Sequence, residues 1–183
     1  MIRYLDVFDF DGTLFKSPLP PDWWKDKADW FYGIESLTPP FVPEVPSDWW
    51  IESTVRHAVR ALSDATHYVI LLTGRNNNTF IDRVNQLLEQ KGLEFDEVHL
   101  SDRKDTVEFK VENIERVLSE HPSIKQVDLW DDQIERTPAY RVAVERVGVK
   151  FKLHMVNVEE VQSPCTEDEF LTGKVASRYV SSV

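Results

Sequence analysis

An apolar run that ends in two aspartates one residue apart constrains this chain more than any other stretch. In YLDVFDFDGTLF, residues 4 to 15, Tyr4, Leu5, Val7, Phe8 and Phe10 read as a buried strand, which closes on Asp9, Asp11, Gly12 and Thr13. Alternate residues of a regular strand share a face, so Asp9 and Asp11 would project together; Gly12 predicts a sharp turn instead, at the strand end where open parallel sheets collect ligands. Two ionised carboxylates this close repel unless a divalent cation or a shared proton compensates, and the cation is the simpler solution. One aspartate of the pair can serve as a nucleophile without a helper base, and the other, if its pKa is raised, can supply a proton. The pattern D-x-D-G-T arises by chance at roughly one in 10^5 sites at average usage, so an ordinary capped turn is the weaker reading.

The rest of the chain alternates in a way that predicts an α/β fold, a Rossmann-like, doubly wound parallel sheet with a Trp- and Pro-rich insertion after the first strand. A helix is expected over 52–65, with Val55, Ala58, Val59 and Leu62 on its buried face. Then come a strand over 68–72 ending in Thr73, Gly74 and Arg75, a helix over 79–91 stopped by Gly92, and a strand over 97–100. A helix over 106–120 follows, started by Asp105 or Thr106 and ended before Pro122, then a strand over 127–130 closing in Asp131 and Asp132, a helix over 138–147 and a strand over 150–156. At 183 residues the chain suits one domain, a catalytic unit over 1–158 followed by a polar tail over 159–183 with a short helix near Glu167–Leu171.

Residues 16–50 stand apart. They hold seven of the ten prolines (Pro18, Pro20, Pro21, Pro39, Pro40, Pro43 and Pro46) and five of the six tryptophans (Trp23, Trp24, Trp30, Trp49 and Trp50). DWWKDKADWFYG reads as a short helix from Asp22 to Gly33, and the proline-rich stretch after it excludes regular helix or central strand. So many large rings demand burial, which predicts an ordered, aromatic-anchored insertion beside the site.

A formal net charge of −11 opposes tight binding to a long duplex, although a local basic rim suffices for a short phosphorylated end. No stretch approaches the roughly 20 apolar residues of a membrane span, and no signal pattern precedes the first strand. Cys165, the single cysteine, allows no internal disulfide. An intracellular location is expected, the cytoplasm first, with the nucleus open.

The D-x-D-G-T run resembles the first motif of the haloacid dehalogenase (HAD) superfamily, and the remaining motifs follow in order. Thr73 and Gly74 in VILLTGR look like the second, a hydroxyl and backbone donors for a phosphate, with Arg75 as a further phosphate or ribose contact. The third motif is a lysine at a helix start; Lys110 in DTVEFKVENI fits best, and Lys104 competes. Asp131 and Asp132 look like the acidic fourth motif, with Asp131 the closer metal ligand. The resemblance implies a Mg²⁺-dependent phosphomonoesterase that works through an aspartyl-phosphate. Asp9 would be its nucleophile and Asp11 its acid and base, with Mg²⁺ held by Asp9, the Asp11 carbonyl and Asp131 or Asp132, and the phosphate by Thr73, Gly74 and Lys110.

A narrower resemblance, from about Asp6 to Glu135, is to the HAD group called Swiss Army Knife RNA repair-like. It is carried by DVFDFDGTLF, ESLTPPFVPEVPSDWW, LLTGR, LEFDEVHL and TVEFK. That group tends to carry an EDR signature followed by His at the fourth motif, where this chain has Asp131, Asp132 and Gln133. The resemblance implies a nucleic-acid 3′-phosphate end as substrate. The aromatic insertion itself offers Trp23, Trp24, Trp49 or Trp50 as base-stacking candidates; for any one of these rings, anchoring the insertion is the commoner role. A phosphorylated small metabolite or nucleotide is the alternative substrate. A non-catalytic module that docks a partner through the insertion is the alternative outside catalysis, and the chain is open to being a piece of a larger repair protein.

Overall fold

The computed structural model describes residues 1–102, 105–157 and 165–172. Its centre is a five-stranded, all-parallel sheet in the order β3-β2-β1-β4-β5, formed by β1 (Tyr4–Phe8), β2 (His67–Asn76), β3 (Glu97–Ser101), β4 (Gln126–Asp131) and β5 (Lys150–Met155). The winding reverses at β1, which has β2 on one side and β4 on the other, so the crevice of the sheet opens between the carboxyl ends of β1 and β4. Phe8 pairs with Trp130 at that end, so Asp9 and Asp131 follow side by side.

The even and odd residues of β1 feed two cores. Phe8, Phe10, Val69, Leu71, Phe80, Val84 and Leu87 pack on the side covered by α1 (Glu52–Leu62), α2 (Asn77–Lys91) and the insertion. Leu5, Val7, Ile70, Leu72, Ile114, Val117, Tyr140 and Val144 pack on the side of α3 (Thr106–Glu120) and α4 (Thr137–Arg146). Each fully buried side chain of this size stabilises by about 1.5–3 kcal/mol relative to exposure.

The helices start and stop for local reasons. Asn76 caps α2 by accepting from the Thr79 N–H at 3.2 Å, and Gly92, at φ 72°, ends it. Asp105 caps α3 by accepting from Val107 and Glu108 at 3.0 Å each. In α1 the face is rotated from the expected one: Thr54 is buried and Val59 is 45% exposed. No helix among the described residues is long and apolar enough to cross a membrane.

The insertion departs most from the sequence expectation. The helix expected from Asp22 to Gly33 is absent; the described structure has a 3₁₀ turn at Trp30–Tyr32, with others at Ile34–Leu37 and Ser47–Trp49. Trp23, Trp24 and Trp30 do not line one helix face but converge on Phe41, with Trp24–Trp30 and Trp30–Phe41 centroids 5.0 Å apart. The indole N–H of Trp30 donates to Pro18 O at 2.7 Å, a non-local bond that a regular helix would not supply. Phe170 of α5 (Glu167–Thr172) packs on the same rings. Arg83, buried on α2, fastens the other limb by donating to the carbonyls of Leu37, Pro43 and Glu44. The base is closed where Phe15 bridges Trp50 and Lys16 N–H meets Trp49 O at 2.8 Å.

At the β3 edge, Glu97 accepts from Tyr68 Oη at 2.7 Å and from Arg116, and pairs with His99 at 2.5 Å. Burial alone would raise its pKa; the hydrogen bonds from Arg116, His99 and Tyr68 outweigh it and hold the group at about 2. A depressed carboxyl contributes stability above its ordinary 4.5, and loses it as pH falls toward 2. Acid unfolding followed by circular dichroism should therefore lose part of its steepness in that window in Glu97→Gln.

Candidate active site

β1 does not stay regular after Phe8. The amides of Leu14 and Phe15 turn back onto Phe10 O at 3.0 and 2.9 Å, and Gly12 sits at φ +67°. Asp9 and Asp11 consequently point to different partners.

Asp9 is almost fully buried and faces Lys110, whose Nζ lies 3.1 Å from Asp9 Oδ1 and 3.0 Å from Asp131 Oδ2. Lys110, in the second turn of α3, is itself 1% exposed. Burial would lower its pKa, but Asp9 and Asp131 together raise it, so it stays charged. Lys104, its competitor in the sequence, lies outside the described residues.

Asp11 turns instead to Arg75. The guanidinium Nε donates to both carboxylate oxygens at 3.1 and 3.0 Å and Nη2 to Oδ1 at 2.7 Å, while Ser17 Oγ donates to the same oxygen. Arg75 also donates to Phe31 O at 3.3 Å and to Ser36 Oγ, and lies 4.7 Å from the Phe80 ring centroid. It is buried, ties the insertion to the turn after β1, and borders the cavity with its donors engaged on Asp11, Phe31 and Ser36.

The two carboxyls are tuned in opposite directions. Burial, reinforced by Asp131, Asp11 and Asp132 and opposed by Lys110, pushes Asp9 up to about 7. Burial also acts on Asp11, but the Arg75 pair and the Ser17 hydrogen bond outweigh it and lower its pKa. The condition set for an acid role, a raised pKa, is met by Asp9 and not by Asp11, whose counter-charge sits 64 residues away.

Asp9, Asp131 and Asp132 each bring one oxygen to within 4.8 Å of the others. Asp131 already accepts from Lys110 and, through Oδ1, from the Gln133 N–H at 2.8 Å. Asp132 Oδ1 is buried with no hydrogen-bond partner, and burial with the neighbouring Asp131 charge pushes Asp132 up to about 6. Three hard oxygen donors, two of them held above their ordinary range by burial and mutual repulsion, and one buried oxygen without a partner fit a small divalent cation such as Mg²⁺. Asp11 lies outside this trio through its side chain. Asp132, rather than Asp131, lines the cavity beside the site.

Gly12 makes this approach feasible. A Cβ there would lie 2.4 Å from Asp132 Oδ2, and the backbone is left-handed. Gly12→Ala is expected to cost ~1–2 kcal/mol from the backbone alone and to displace the Asp132 carboxylate. Thermal melts with and without Mg²⁺ check both effects: the variant should melt lower and respond less to the ion.

Thr73 is fully buried, its hydroxyl accepting from the Arg75 N–H at 3.2 Å, and it does not line the cavity. Gly74 does, packed so closely that a Cβ would meet Thr106 Oγ1 at 2.8 Å. The cavity, about 540 Å³, is also lined by Asp9, Asp11, Lys16, Ser17, Phe31, Tyr32, Thr106, Gln133 and Arg136. Trp23 and Trp24 stand in the Phe41 cluster, and Trp49 and Trp50 pack on Phe15. None of the four lines the cavity; its aromatic rings are Phe31 and Tyr32. Sequence reading missed Lys16, Ser17, Phe31, Tyr32 and Arg136, and only the position of Lys16 and Ser17 just after D-x-D-G-T-L-F marked any of them.

The family model described as HAD domain family 1 in Swiss Army Knife RNA repair proteins matches residues 15–171. A chain of the Pnkp1/Rnl/Hen1 complex is similar over 87% of this chain and 47% of its own length, at 18% identity and a TM-score of 0.54. The HAD domain of the effector protein Lem4 from Legionella pneumophila, in an inactive mutant form, is similar over 94% of this chain and 93% of its own, at 11% identity and a TM-score of 0.53. At these identities the structural likeness speaks for the fold, and the chain spans less than half the length of the RNA-repair chain it resembles. The match over most of its length places this chain in the HAD superfamily, as a member of HAD domain family 1 of the Swiss Army Knife RNA repair proteins.

Proposed function

We propose that this domain is a Mg²⁺-dependent phosphomonoesterase that acts through an aspartyl-phosphate on Asp9, with a phosphorylated nucleic-acid end as its substrate. The observation that carries the reading is the convergence of Asp9, Asp131 and Asp132 around Lys110 at the switch point of the sheet, opening on the cavity. Family membership supports hydrolase chemistry, and the presence of RNA-repair proteins in the family's description and among the similar structures supports the substrate class.

Asp9 attacks phosphorus, and the bond to the leaving oxygen breaks. Lys110, buried and charged, balances the anionic oxygens and keeps Asp9 oriented. Gly74 and Thr106, which border the cavity, position the phosphoryl group, with Thr73 acting through the Arg75 turn rather than by contact. Asp9, Asp132 and Asp131 would hold the magnesium ion, which supplies positive charge against the transferring phosphoryl group. Asp11 lines the same cavity and is the second carboxyl available to the leaving oxygen and the hydrolytic water; its engagement by Arg75 must loosen for it to donate a proton.

The Asp11→Asn variant tests that last role. Turnover of alkyl phosphates, whose leaving oxygen needs a proton, should fall far more than turnover of activated aryl phosphates. Equal losses on both remove Asp11 from acid catalysis. The function as a whole is read from phosphate release, with and without Mg²⁺, from an aryl phosphate, a nucleoside 3′-monophosphate and a short RNA ending in a 3′-phosphate. Mg²⁺-dependent preference for the RNA end is the expected result. Activity confined to the small esters would retain the chemistry and discard the nucleic-acid end.

A further inference from the structure

We infer that Tyr32 and Arg136 read the substrate beyond its scissile phosphate, Tyr32 by stacking on the terminal base and Arg136 by meeting the phosphate on the 5′ side of that nucleotide. This deepens the phosphatase reading and rests on it for the position of the scissile group.

The cavity is far larger than a phosphoryl group needs, and its volume suits a ligand of nucleotide size. Its wall carries Phe31 and Tyr32, 38% and 56% exposed. The Phe31 ring already faces Arg75, with Cζ 5.2 Å from its centroid. Tyr32 is different. Every other aromatic ring of the insertion has a ring or cation neighbour, whereas the Tyr32 side chain has neither a ring contact nor a hydrogen bond among the described residues. It is not loosely mounted, because the turn that carries it is pinned when Arg75 donates to Phe31 O and Ser36 Oγ. An exposed ring on a fixed turn beside a phosphoryl site is a ready platform for an unpaired base.

The cations at and behind the cavity wall divide in the same way. Lys110 and Arg75 are committed to carboxylates. Among the described residues, Lys16, whose Nζ donates only to the neutral Asp48 carbonyl at 3.1 Å, and Arg136, whose side chain has no hydrogen bond or ion pair, are not. In a chain of net charge −11, uncommitted cations at the mouth of a site already equipped for one phosphate point to a second anionic group on the substrate. A flat ring together with a second phosphate describes an internal nucleotide linkage rather than a simple sugar phosphate. Arg136, with its planar fork, is the better phosphate partner of the two.

The experiment compares kcat/KM for a nucleoside 3′,5′-bisphosphate, the matching 3′-monophosphate and an abasic 3′,5′-bisphosphate, in wild type, Tyr32→Ala, Tyr32→Trp and Arg136→Gln. Wild type should prefer the base-bearing bisphosphate over the abasic one by about tenfold. Tyr32→Ala should erase that preference, and Tyr32→Trp should keep it. Arg136→Gln should erase the preference for bisphosphate over monophosphate and leave the base preference in place. A base preference equal in Tyr32→Ala and wild type, or no base preference in wild type, overturns the Tyr32 assignment; an unchanged phosphate preference in Arg136→Gln overturns the other. If wild type hydrolyses none of these compounds nor an aryl phosphate, the catalytic reading fails by itself. The same ratios are then read as dissociation constants by calorimetry on Asp9→Asn with and without the Tyr32 and Arg136 changes, where the same equalities overturn the assignments.

Discussion

Asp9→Asn should lower phosphate release by about 10^4-fold or more, the scale on which loss of a covalent nucleophile is felt, and should leave the folded protein at least as stable in the absence of magnesium. The amide fills the same space but cannot form the acyl phosphate. Lys110 retains Asp131 as a partner at 3.0 Å, so the buried ammonium is not left alone. One of three crowded carboxylates is removed, and burial already disfavours the ionised form of Asp9. Initial rates and thermal melts on one preparation separate the two effects. Activity within tenfold of wild type would remove Asp9 from covalent catalysis; collapse of the melt would mean that its charge is structural.

Arg75→Met should cost the most stability of any substitution at the site, ~3–5 kcal/mol by comparison with other buried charge pairs broken on one side. The lower end applies, because the Asp11 side chain keeps 25% of its exposure and water screens part of the orphaned charge. Three things are lost together: the counter-charge to Asp11, the donors to Phe31 O and Ser36, and the packing over Phe80. Urea unfolding gives the loss. Limited proteolysis should show new cleavage within residues 16–50, since the turn at Trp30–Leu37 is released from the strand. The double variant with Asp11→Asn should recover part of the stability, because the uncompensated carboxylate is then gone. Failure of that recovery would assign the effect of Arg75 to packing alone.

Lys110, Asp131 and Asp132 could be singled out before the structure because the resemblance to the HAD motifs asks for a lysine near a helix start and acids after a strand, and periodicity located both elements. The 3.6 period from Thr106 to Glu120 located a helix start, and an apolar strand ending in two acids located the other side of the crevice. The helix over 106–120 matches its expected bounds for the same reason, with Asp105 as a readable cap. The insertion obeys no such period. Its shape is set by ring contacts between Trp24, Trp30, Phe41 and a residue as distant as Phe170, and by three carbonyls that Arg83 collects from Leu37 to Glu44. Tryptophan, the conspicuous residue type, went into that packing, while the ring exposed to the cavity is the less conspicuous Tyr32. The protonation order of Asp9 and Asp11 was illegible on similar grounds. Two aspartates one residue apart look alike in a sequence, and only the fold gives Lys110 with two further carboxylates to one and Arg75 with Ser17 to the other.

The central claim is that Asp9 carries the phosphoryl group during turnover. Rapid acid quench of enzyme mixed with Mg²⁺ and a turned-over phosphomonoester, followed by peptide mass spectrometry, tests it directly. One added phosphoryl group is expected on the peptide containing Asp9, appearing only with Mg²⁺, lost on hydroxylamine treatment and absent in Asp9→Asn. Turnover that leaves this peptide unmodified, or that places the label on another residue, would contradict it.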